Sequence, residues 1–541
     1  MRYARIDLNG TYREIGAQTT GPLGVALDKS FRLDHYLERV ERIASSRSIR
    51  RVLIVRGERF SAPAFGALHE IRDGLRRIVA AGKEVVFYAP EYGVPEWYLA
   101  SACTRRILHP LGTVSFLGVA RTGLFFRKLL DKHDIDVEVI RRGRYKSAAD
   151  PFRTDRFDEF NREQLDALLG GVVAAMKQAI AESGVLTATL IEEMIAGRVV
   201  LAKDAEAESL VDGLATVDGL VADWKTDRGK EVSLKKVRGI YGRGARLRVL
   251  VFEGAVVDGE NRRDPLLGQA IGDRAFTAAI RAVRDDKRTK AVVFRINSGG
   301  GSAVASENIV NELSRLAEKK PVVVSMGPVA GSGGYWIAMT GRRLFALPTS
   351  ITGSIGVITL FLNIAKLLAR HGITTDTVKH GEYADFGSAL RAMKSEEKAD
   401  AERVVDALYR EFLARVAAFR GKTPEQIDAL GEGRVWLGKD ALAVGLVDEL
   451  GGLHDAIEYA RTLIGKKKVR VKFGPSVKRS FVARLLTKRA AGVDSALASI
   501  PDGNLTSPGA IARACRSIHG HAQFTDPVLL AGGDFLRSPA E

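Results

Sequence analysis

The sequence predicts a tandem duplication of two α/β domains, each built on a mostly parallel sheet. Three observations lead to this prediction. The chain has 541 residues, more than one compact domain usually holds. One long segment occurs twice. Short apolar strands alternate with amphipathic helices, and that order requires the crossover connections of a parallel sheet.

The duplication is clearest in a segment that occurs at 197–214 and again at 433–450. The copies read GRVVLAKDAEAESLVDGL and GRVWLGKDALAVGLVDEL, and twelve of their eighteen positions are identical. Shorter matches follow at nearly the same spacing: Arg105-Arg106 with Arg342-Arg343, Gly118-Val119 with Gly356-Val357, and Gly143-Arg-Tyr145 with Gly381-Glu-Tyr383. We therefore predict homologous domains at 1–240 and 241–465, followed by a different tail at 466–541.

Apolar patterns place the individual elements along the chain. A first strand is expected near Ile6. In the second half, β-branched and apolar runs predict buried parallel strands at 247–252, 291–296 and 322–325. Helical periodicity predicts helices at 276–285 and 306–319. Each half then closes with a helical region rich in alanine, glutamate and leucine, near 156–196 and 396–430.

Composition is that of an ordinary soluble globular chain, with 46% hydrophobic and 27% charged residues. Two cysteines, Cys103 and Cys515, cannot build a disulfide framework or, alone, a zinc site, and no metal is predicted. The net charge of +17 favours an anionic partner, either nucleic acid or a lipid surface. No stretch reaches the roughly 18 apolar residues of a spanning helix, and the N-terminus lacks the apolar core of a signal peptide.

Two glycine-rich turns in the second half are candidates for catalysis. NSGGGS at 297–302 follows the strand that ends at Ile296, and AGSGGY at 330–335 lies just after the next predicted strand. N–H groups exposed in such turns stabilise an anion, and two turns on neighbouring strands can converge into an oxyanion hole. Ser332 lies in the second turn, where it is placed as a nucleophile or, alternatively, as a helix cap. Neither turn has the ending of a phosphate-binding P-loop.

A nucleophilic serine needs a general base, and the difference between the repeats indicates where it lies. None of the nine histidines occurs in a recognisable motif. The first half has GRYK at 143–146 where the second half has GEYA at 381–384, and the first half lacks the Gly-Ser-Gly-Gly turn. Each half keeps what the other has lost. This predicts one composite site, with the nucleophile in one repeat and the general base in the other.

Three motifs together resemble the long, tandem-domain form of the signal peptide peptidase family SppA: AGSGGY at 330–335, TGSIG at 352–356 and GRYKS at 143–147. The resemblance covers about residues 1–465. It implies two crotonase-like, Clp-like α/β domains and a serine endopeptidase with a serine–lysine dyad. The substrates it implies are signal peptides or other membrane-released or unfolded peptides. It also implies a bowl-shaped homotetramer, association with the inner membrane, and no cofactor.

The resemblance also assigns roles to individual residues. It makes Ser332 the nucleophile, Lys146 the general base, and Ser354 the serine that orients the lysine amine. Gly333, with Gly300 or Gly301, resembles the backbone donors of the oxyanion hole. The family commonly has Ser-Pro-Gly-Gly where this chain has SGGG at 298–301. Loss of the proline frees φ in this loop and leaves Gly300 and Gly301 as alternatives.

A lysine base makes a physical demand on its surroundings. Free lysine has a pKa of about 10.4, so at neutral pH almost all of it is ammonium and cannot accept a proton. Bringing that pKa to about 7–8 requires a preference of roughly 4 kcal/mol for the neutral amine. No carboxylate flanks Lys146 in the sequence. We expect desolvation between the repeats to supply this preference, and activity to fall steeply on the acid side.

The tail carries the strongest local charge. Residues 466–489 contain ten basic residues and no acidic one, with Phe481, Leu485 and Leu486 at helical spacing. Such a segment suits anionic lipid head groups, and a solvated basic linker is the alternative. Nucleic acid is not expected, because no binding motif accompanies the charge. Relatives in the resembling family carry an anchor before the first strand. Here we expect membrane association without a transmembrane segment in this chain, with a cytoplasmic location as the alternative.

Two further hypotheses compete with the peptidase. A crotonase-type acyl-CoA enzyme uses the same fold and oxyanion geometry on thioesters. It needs a carboxylate base or contacts to the CoA phosphates, and it does not need Lys146. The third hypothesis is an inactive scaffold that assembles on membranes through its basic tail. The presence of both Ser332 and Lys146 argues against it.

Overall fold

The computed structural model describes residues 2–16, 29–62, 64–115, 118–184, 186–226, 228–234, 245–264, 268–465 and 469–474. Two large sheets dominate it, one from each half of the chain. Among the described residues, every helix is too short or too polar to cross a bilayer.

Within the described residues the first half has eleven strands, six of which form its main, parallel sheet. Its strands are β1 (Arg2–Leu8), β2 (Tyr12–Arg13), β3 (Phe31–Arg32), β4 (Ile49–Arg56), β5 (Glu84–Ala89), β6 (Arg105–Leu108), β7 (Thr113–Ser115), β8 (Asp136–Arg142), β9 (Val199–Leu201), β10 (Gly213–Leu214) and β11 (Lys230–Glu231). Its helices are α1 (Leu33–Ser45), α2 (Phe65–Ala80), α3 (Val94–Ala100), α4 (Arg127–Lys132), α5 (Asp150–Arg153), α6 (Glu159–Glu182), α7 (Ala188–Ile195), α8 (Ala202–Ala207) and α9 (Val217–Thr226). The sheet order is β10-β6-β5-β4-β1-β11, and every pairing is parallel.

The second half repeats this plan. Within the described residues it has twelve strands, eight of which form its main sheet. Its strands are β12 (Ala245–Glu253), β13 (Ala255–Val257), β14 (Arg262–Asp264), β15 (Gly268–Gly272), β16 (Thr289–Ser298), β17 (Val322–Gly331), β18 (Leu344–Ala346), β19 (Ile351–Gly353), β20 (Val357–Asn363), β21 (Val435–Leu437), β22 (Glu449–Leu450) and β23 (Val469–Gly474). Its helices are α10 (Asp273–Asp285), α11 (Ala303–Lys319), α12 (Gly333–Ala338), α13 (Ala365–Arg370), α14 (Ser395–Arg420), α15 (Pro424–Leu430), α16 (Gly438–Ala443) and α17 (Leu453–Ile464). The main order is β21-β19-β17-β16-β12-β23, with β18 and β22 attached beside β17, and only the β19–β21 pairing is antiparallel.

The predicted α/β class and mostly parallel sheets are confirmed, and the predicted runs lie within β12, β16 and β17. These strands are apolar on both faces because both faces are covered. Leu247, Val249 and Val251 of β12 belong to one buried cluster, whereas Leu250 and Phe252 belong to the cluster on the opposite face. Successive side chains of a strand point to opposite faces, so a doubly covered strand reads as a continuous apolar run.

Several contacts join the halves. Helix α2 of the first half packs against β17 of the second. Strands β8 and β20 form an antiparallel two-stranded ribbon, in which Arg142 lies opposite Val357 and Asp136 lies opposite Asn363. The sequence did not predict this ribbon. It brings the turn after β8 next to the turn before β20.

The end of the second sheet differs from the predicted boundary at 465. Residues 469–474, assigned to the tail by the sequence, form strand β23 and pair in parallel with β12. Val469 and Val471 are buried in this position. Residues 466–468 and 475–541, which include most of the basic segment, lie outside the described residues.

Candidate active site

Ser332 lies in the sharp turn between β17 and α12. Its backbone has φ 53° and ψ −124°, a conformation that residues other than glycine rarely adopt. Strained backbone of this kind is found at catalytic nucleophiles that a strand presents at the start of a helix. The hydroxyl makes no capping hydrogen bond to α12, so the helix-cap alternative is not supported. The side chain is instead 2% exposed and faces the first half of the chain.

Lys146 comes from the first half and meets this serine. Its Nζ lies 3.0 Å from Ser332 Oγ, 2.8 Å from Ser354 Oγ and 3.0 Å from the Ser354 carbonyl oxygen. The residue is 1% exposed. A neutral amine has two N–H groups and one lone pair. Both N–H groups can donate to Ser354 while the lone pair receives the Ser332 hydroxyl hydrogen, which is the arrangement of a general base with its nucleophile.

Ser354 is positioned by the same sheet that carries Ser332. Gly331 of β17 pairs with Gly353 of β19, so the two serines that follow these glycines emerge at the same sheet edge. The Ser332 N–H donates to the Gly353 carbonyl at 2.9 Å. Ser354 also has a positive φ of 53° and is fully buried. The sheet therefore fixes both hydroxyl groups that surround the Lys146 amine.

The other glycine-rich turn packs directly on the Ser332 turn, as the sequence predicted for neighbouring strands. A Cβ on Gly300 would lie 2.6 Å from the Gly333 nitrogen and 2.8 Å from the Ser332 Cβ. The Gly300 N–H donates to Ser298 Oγ at 3.1 Å. Within the described part of the chain, the N–H groups of Gly301 and Gly333 have no acceptor. Gly301 and Gly333 therefore carry backbone donors without an acceptor in the two turns that pack together here.

A buried charge cluster lies where the halves meet, close to these turns. The Arg295 guanidinium contacts both oxygens of Glu14 at 3.0 Å and Glu70 at 2.8 Å. Burial, followed by the charge of Glu14, raises the pKa of Glu253 to about 8, and burial raises the pKa of Glu70 to about 7. Glu253 accepts the Glu14 N–H at 3.2 Å. The sequence did not predict this cluster, because its members are far apart along the chain.

Each half of the chain is similar to one known peptidase family. Peptidase family S49 matches the chain twice, at residues 77–232 and 314–467. The chain belongs to peptidase family S49. The two matches fall one in each half, so the predicted duplication and the resemblance to SppA are confirmed. This S49 chain is a serine-type peptidase, and the acyl-CoA hypothesis has no support from the family.

Individual relatives extend the S49 assignment over most of the chain. Protease 4 of Salmonella typhi is 30% identical over 86% of this chain and 77% of the relative. The chloroplastic serine protease SPPA of Arabidopsis thaliana is 30% identical over 83% of this chain and 69% of the relative. A putative signal peptide peptidase SppA of Enterococcus faecium is 32% identical over 34% of this chain and 54% of the relative. A solved ClpP1 mutant from Listeria monocytogenes aligns with 39% of this chain and 94% of its own at 14% identity and a TM-score of 0.26.

Proposed function

We propose that this S49 peptidase cleaves peptide bonds with Ser332 as nucleophile and Lys146 as general base, and that its substrates are signal peptides or other membrane-released or unfolded peptides. The observation that carries the dyad is the 3.0 Å separation of Lys146 Nζ and Ser332 Oγ in a buried site. The Enterococcus faecium relative, named a putative signal peptide peptidase, supports the substrate class. Removing an ammonium from water favours its neutral form, so burial of Lys146 acts in the direction that a base needs.

Catalysis begins when Ser332 Oγ attacks the carbonyl carbon of the scissile bond. The new C–O bond forms as the hydroxyl proton moves to Lys146 Nζ, and the carbonyl electron pair moves onto oxygen. The N–H groups of Gly333 and Gly301 stabilise this oxyanion. Among the glycines predicted from the sequence, Gly300 is the weaker candidate because its N–H already donates to Ser298.

The tetrahedral intermediate then collapses. The C–N bond breaks, and Lys146 returns its proton to the departing amine, which leaves an ester between the substrate and Ser332. Water attacks this ester, with Lys146 again accepting a proton, and the C–O bond to the enzyme breaks. A carboxylate product leaves and the serine hydroxyl is restored. Ser354 donates no atom to the reaction; its hydroxyl and carbonyl hold the amine toward Ser332.

Hydrolysis of casein and of a fluorogenic peptide by wild type, Ser332→Ala and Lys146→Ala tests this assignment. Both variants should lose at least about 10³-fold in kcat, as removal of a nucleophile or its base does in other serine peptidases. Lys203→Ala, which removes an exposed lysine of the same half, is the matched control and should keep wild-type activity. Activity that survives in Lys146→Ala rejects this base. A folded wild type that cleaves acyl-CoA and no peptide rejects the peptidase proposal.

We also propose that the protein forms a homo-oligomer, a tetramer as the resemblance implies. Large apolar side chains are exposed on two segments that flank the inter-repeat ribbon, and such surfaces mark contact sites between proteins. These side chains are Leu124, Leu129, Ile373, Val378, Phe386 and Leu390. Light scattering on the eluting peak of a size-exclusion column tests this, and a monomer at micromolar concentration contradicts it.

Association with an anionic membrane surface is the last part of the proposal. Arg470 and Lys472 of the basic segment lie in β23, and the rest of that segment falls outside the described residues. The support is therefore the charge of residues 466–489 alone. Co-sedimentation with anionic vesicles tests it: the chain without residues 475–541 should bind several-fold less than the full chain.

A further inference from the structure

A three-residue segment of the second half, residues 432–434, lies between the two turns that surround the reacting serine. The carbonyl of Glu432 accepts the N–H of Tyr145 at 2.9 Å. The carbonyl of Arg434 accepts the N–H of Ser354 at 2.7 Å. One short segment is thus bonded on one side to the residue before the lysine and on the other to the serine that meets its amine.

The middle residue of this segment, Gly433, packs against the backbone of Lys146. Its φ is +79°, and a Cβ there would lie 2.6 Å from the Lys146 nitrogen and 2.7 Å from the Lys146 Cβ. Gly197 holds the same position in the first copy of the repeated segment. It also has a positive φ, of +110°, but nothing lies within 4 Å of its Cβ position. The close approach therefore exists only in the copy that faces the lysine.

Gln164 of α6 also bonds to residues next to Lys146 and to a residue next to the 432–434 segment. Its side chain is buried, and its Nε2 donates to the Tyr145 carbonyl and to Ser147 Oγ, each at 3.1 Å. Its Oε1 accepts the Val435 N–H at 3.3 Å. One amide group therefore binds the residues on both sides of Lys146 and the residue that directly follows the 432–434 segment.

Charged side chains surround these contacts. Arg144 pairs with Glu432, and Arg434 pairs with Glu163 at 2.9 Å, so each half contributes one cation and one anion. The Arg434 guanidinium also lies over the Tyr145 ring, 5.0 Å from its centroid. Partly exposed pairs of this kind contribute little to stability. The buried backbone and amide hydrogen bonds therefore carry the positioning.

We propose that Gly433 and Gln164 are positioning residues for the Lys146 amine. Neither touches the reacting atoms; they set the backbone of residues 145–147 against the second half, and through it the distance from Nζ to Ser332 Oγ. This inference rests on the proposed function, because it requires Lys146 to be the base. A displacement of about 1 Å at a reacting group can lower a rate about 100-fold.

Gly433→Ala and Gly197→Ala form a matched pair that tests Gly433. Both add one methyl group at a glycine with positive φ, so both strain the backbone, but only Gly433→Ala displaces Lys146. We expect kcat of Gly433→Ala on a fluorogenic peptide to fall at least about 100-fold with KM changed less than about threefold. Gly197→Ala should stay within about threefold of wild type. Equal kcat values in the two variants overturn the role of Gly433.

Gln164→Met provides an independent test if Gly433→Ala does not fold. Methionine keeps the volume of the side chain and removes its four hydrogen bonds, to Tyr145, Ser147, Asn161 and Val435. We expect kcat per reactive site, counted by titration with a fluorophosphonate, to fall at least about tenfold. The acid limb of kcat/KM should also move, because the surroundings of the amine change. A merely structural role lowers the number of reactive sites and leaves the acid limb in place; that result overturns the role of Gln164.

Lys146→Ala, assayed beside these variants, separates the two levels of the proposal. An active Lys146→Ala enzyme rejects the proposed base, and the positioning role with it. An inactive Lys146→Ala enzyme beside fully active Gly433→Ala and Gln164→Met rejects the positioning role alone.

Discussion

Arg142 of the first half lies opposite Val357 of the second in the antiparallel ribbon of β8 and β20. Lys146 follows Arg142 by four residues, and Ser354 precedes Val357 by three. The ribbon therefore sets the register between the turn that carries Lys146 and the turn that receives its amine. Without it, the two turns would belong to separate sheets with no hydrogen-bonded strand pair between them.

Ile358→Ala tests whether this ribbon matters to activity. Ile358 is 3% exposed and shares a buried cluster with Ala148 and Ala149, which closely follow Lys146 in sequence. Truncation should cost about 2–4 kcal/mol of unfolding free energy and leave a cavity beneath the Lys146 turn. We expect kcat to fall about tenfold or more. Ile280→Ala in α10 is the control. It removes the same group from the buried cluster that contains Leu250 and Phe252, and it should cost similar stability without loss of kcat. Equal kcat values would contradict the role of the ribbon.

The pH dependence of activity follows from the proposed base. Protonated Lys146 cannot accept the Ser332 proton, so kcat/KM on an uncharged peptide, measured between pH 6 and 9, should fall toward the acid side. On the acid side the fall approaches tenfold per pH unit for a single ionisation. Circular dichroism across the same range verifies that the protein stays folded. A flat profile would reject lysine as the base.

Ser354→Ala removes the hydroxyl that lies 2.8 Å from Lys146 Nζ and leaves the serine carbonyl in place. The amine then keeps one of its two contacts to this residue, so we expect kcat to fall by about 10- to 100-fold. Ser350→Ala is the control, because it removes another fully buried hydroxyl, one that bonds the Gly327 carbonyl at 2.6 Å. If both variants lose kcat in proportion to a lowered thermal midpoint, Ser354 has a structural role only.

Much of this architecture could be predicted from the sequence, because local patterns encode it. Buried strands such as β16 and β17 read as apolar runs, and the Ser332 turn follows β17. Only the first half has the lysine of GRYK, and only the second half has the Gly-Ser-Gly-Gly turn. This difference predicted that Lys146 and Ser332 would form one site. The 3.0 Å distance between them agrees with that prediction.

Other parts depend on contacts that no local pattern carries. Gln164 is one polar residue in a helix of ordinary composition, and only the structure shows it on both sides of Lys146. Gly433 was visible as the first residue of the second repeat copy, but nothing in the sequence indicated which backbone it faces. Strand β23 lies inside a run of basic residues, so charge concealed its apolar alternation at Val469, Val471 and Phe473.

The buried carboxyl groups predict how stability varies with pH. Burial raises the pKa of Glu253 to about 8, whereas an unfolded glutamate has a pKa of about 4.3. The folded state therefore holds a proton that the unfolded state releases, and stability is lost as pH rises through the folded pKa. For this one group the unfolding free energy should fall by about 3 kcal/mol between pH 6 and pH 9, most of it below pH 8.

Glu253→Gln isolates that contribution. The amide is uncharged at every pH, and its carbonyl can still accept the Glu14 N–H that Glu253 accepts at 3.2 Å. Urea unfolding at pH 6, 7.5 and 9 should show a smaller decline in the variant than in wild type, and a more stable variant at pH 9. Glu260→Gln, at an exposed site of the same half, should leave the decline unchanged. Parallel declines in wild type and Glu253→Gln would contradict the raised pKa.

Two truncations separate the structural part of the tail from the part proposed to bind membranes. Removing 475–541 leaves β23 paired with β12, so folding and peptide hydrolysis should be retained. Removing 466–541 also strips β23 from the edge of the second sheet and should lower the unfolding free energy. Vesicles with an anionic phospholipid should co-sediment the full chain at low salt, and the 475–541 deletion should bind them several-fold less. Salt at 0.5 M should weaken wild-type binding, because screening shortens the reach of charge. Unchanged co-sedimentation of the 475–541 deletion, with neutral vesicles as the control, would show that this tail does not carry membrane binding.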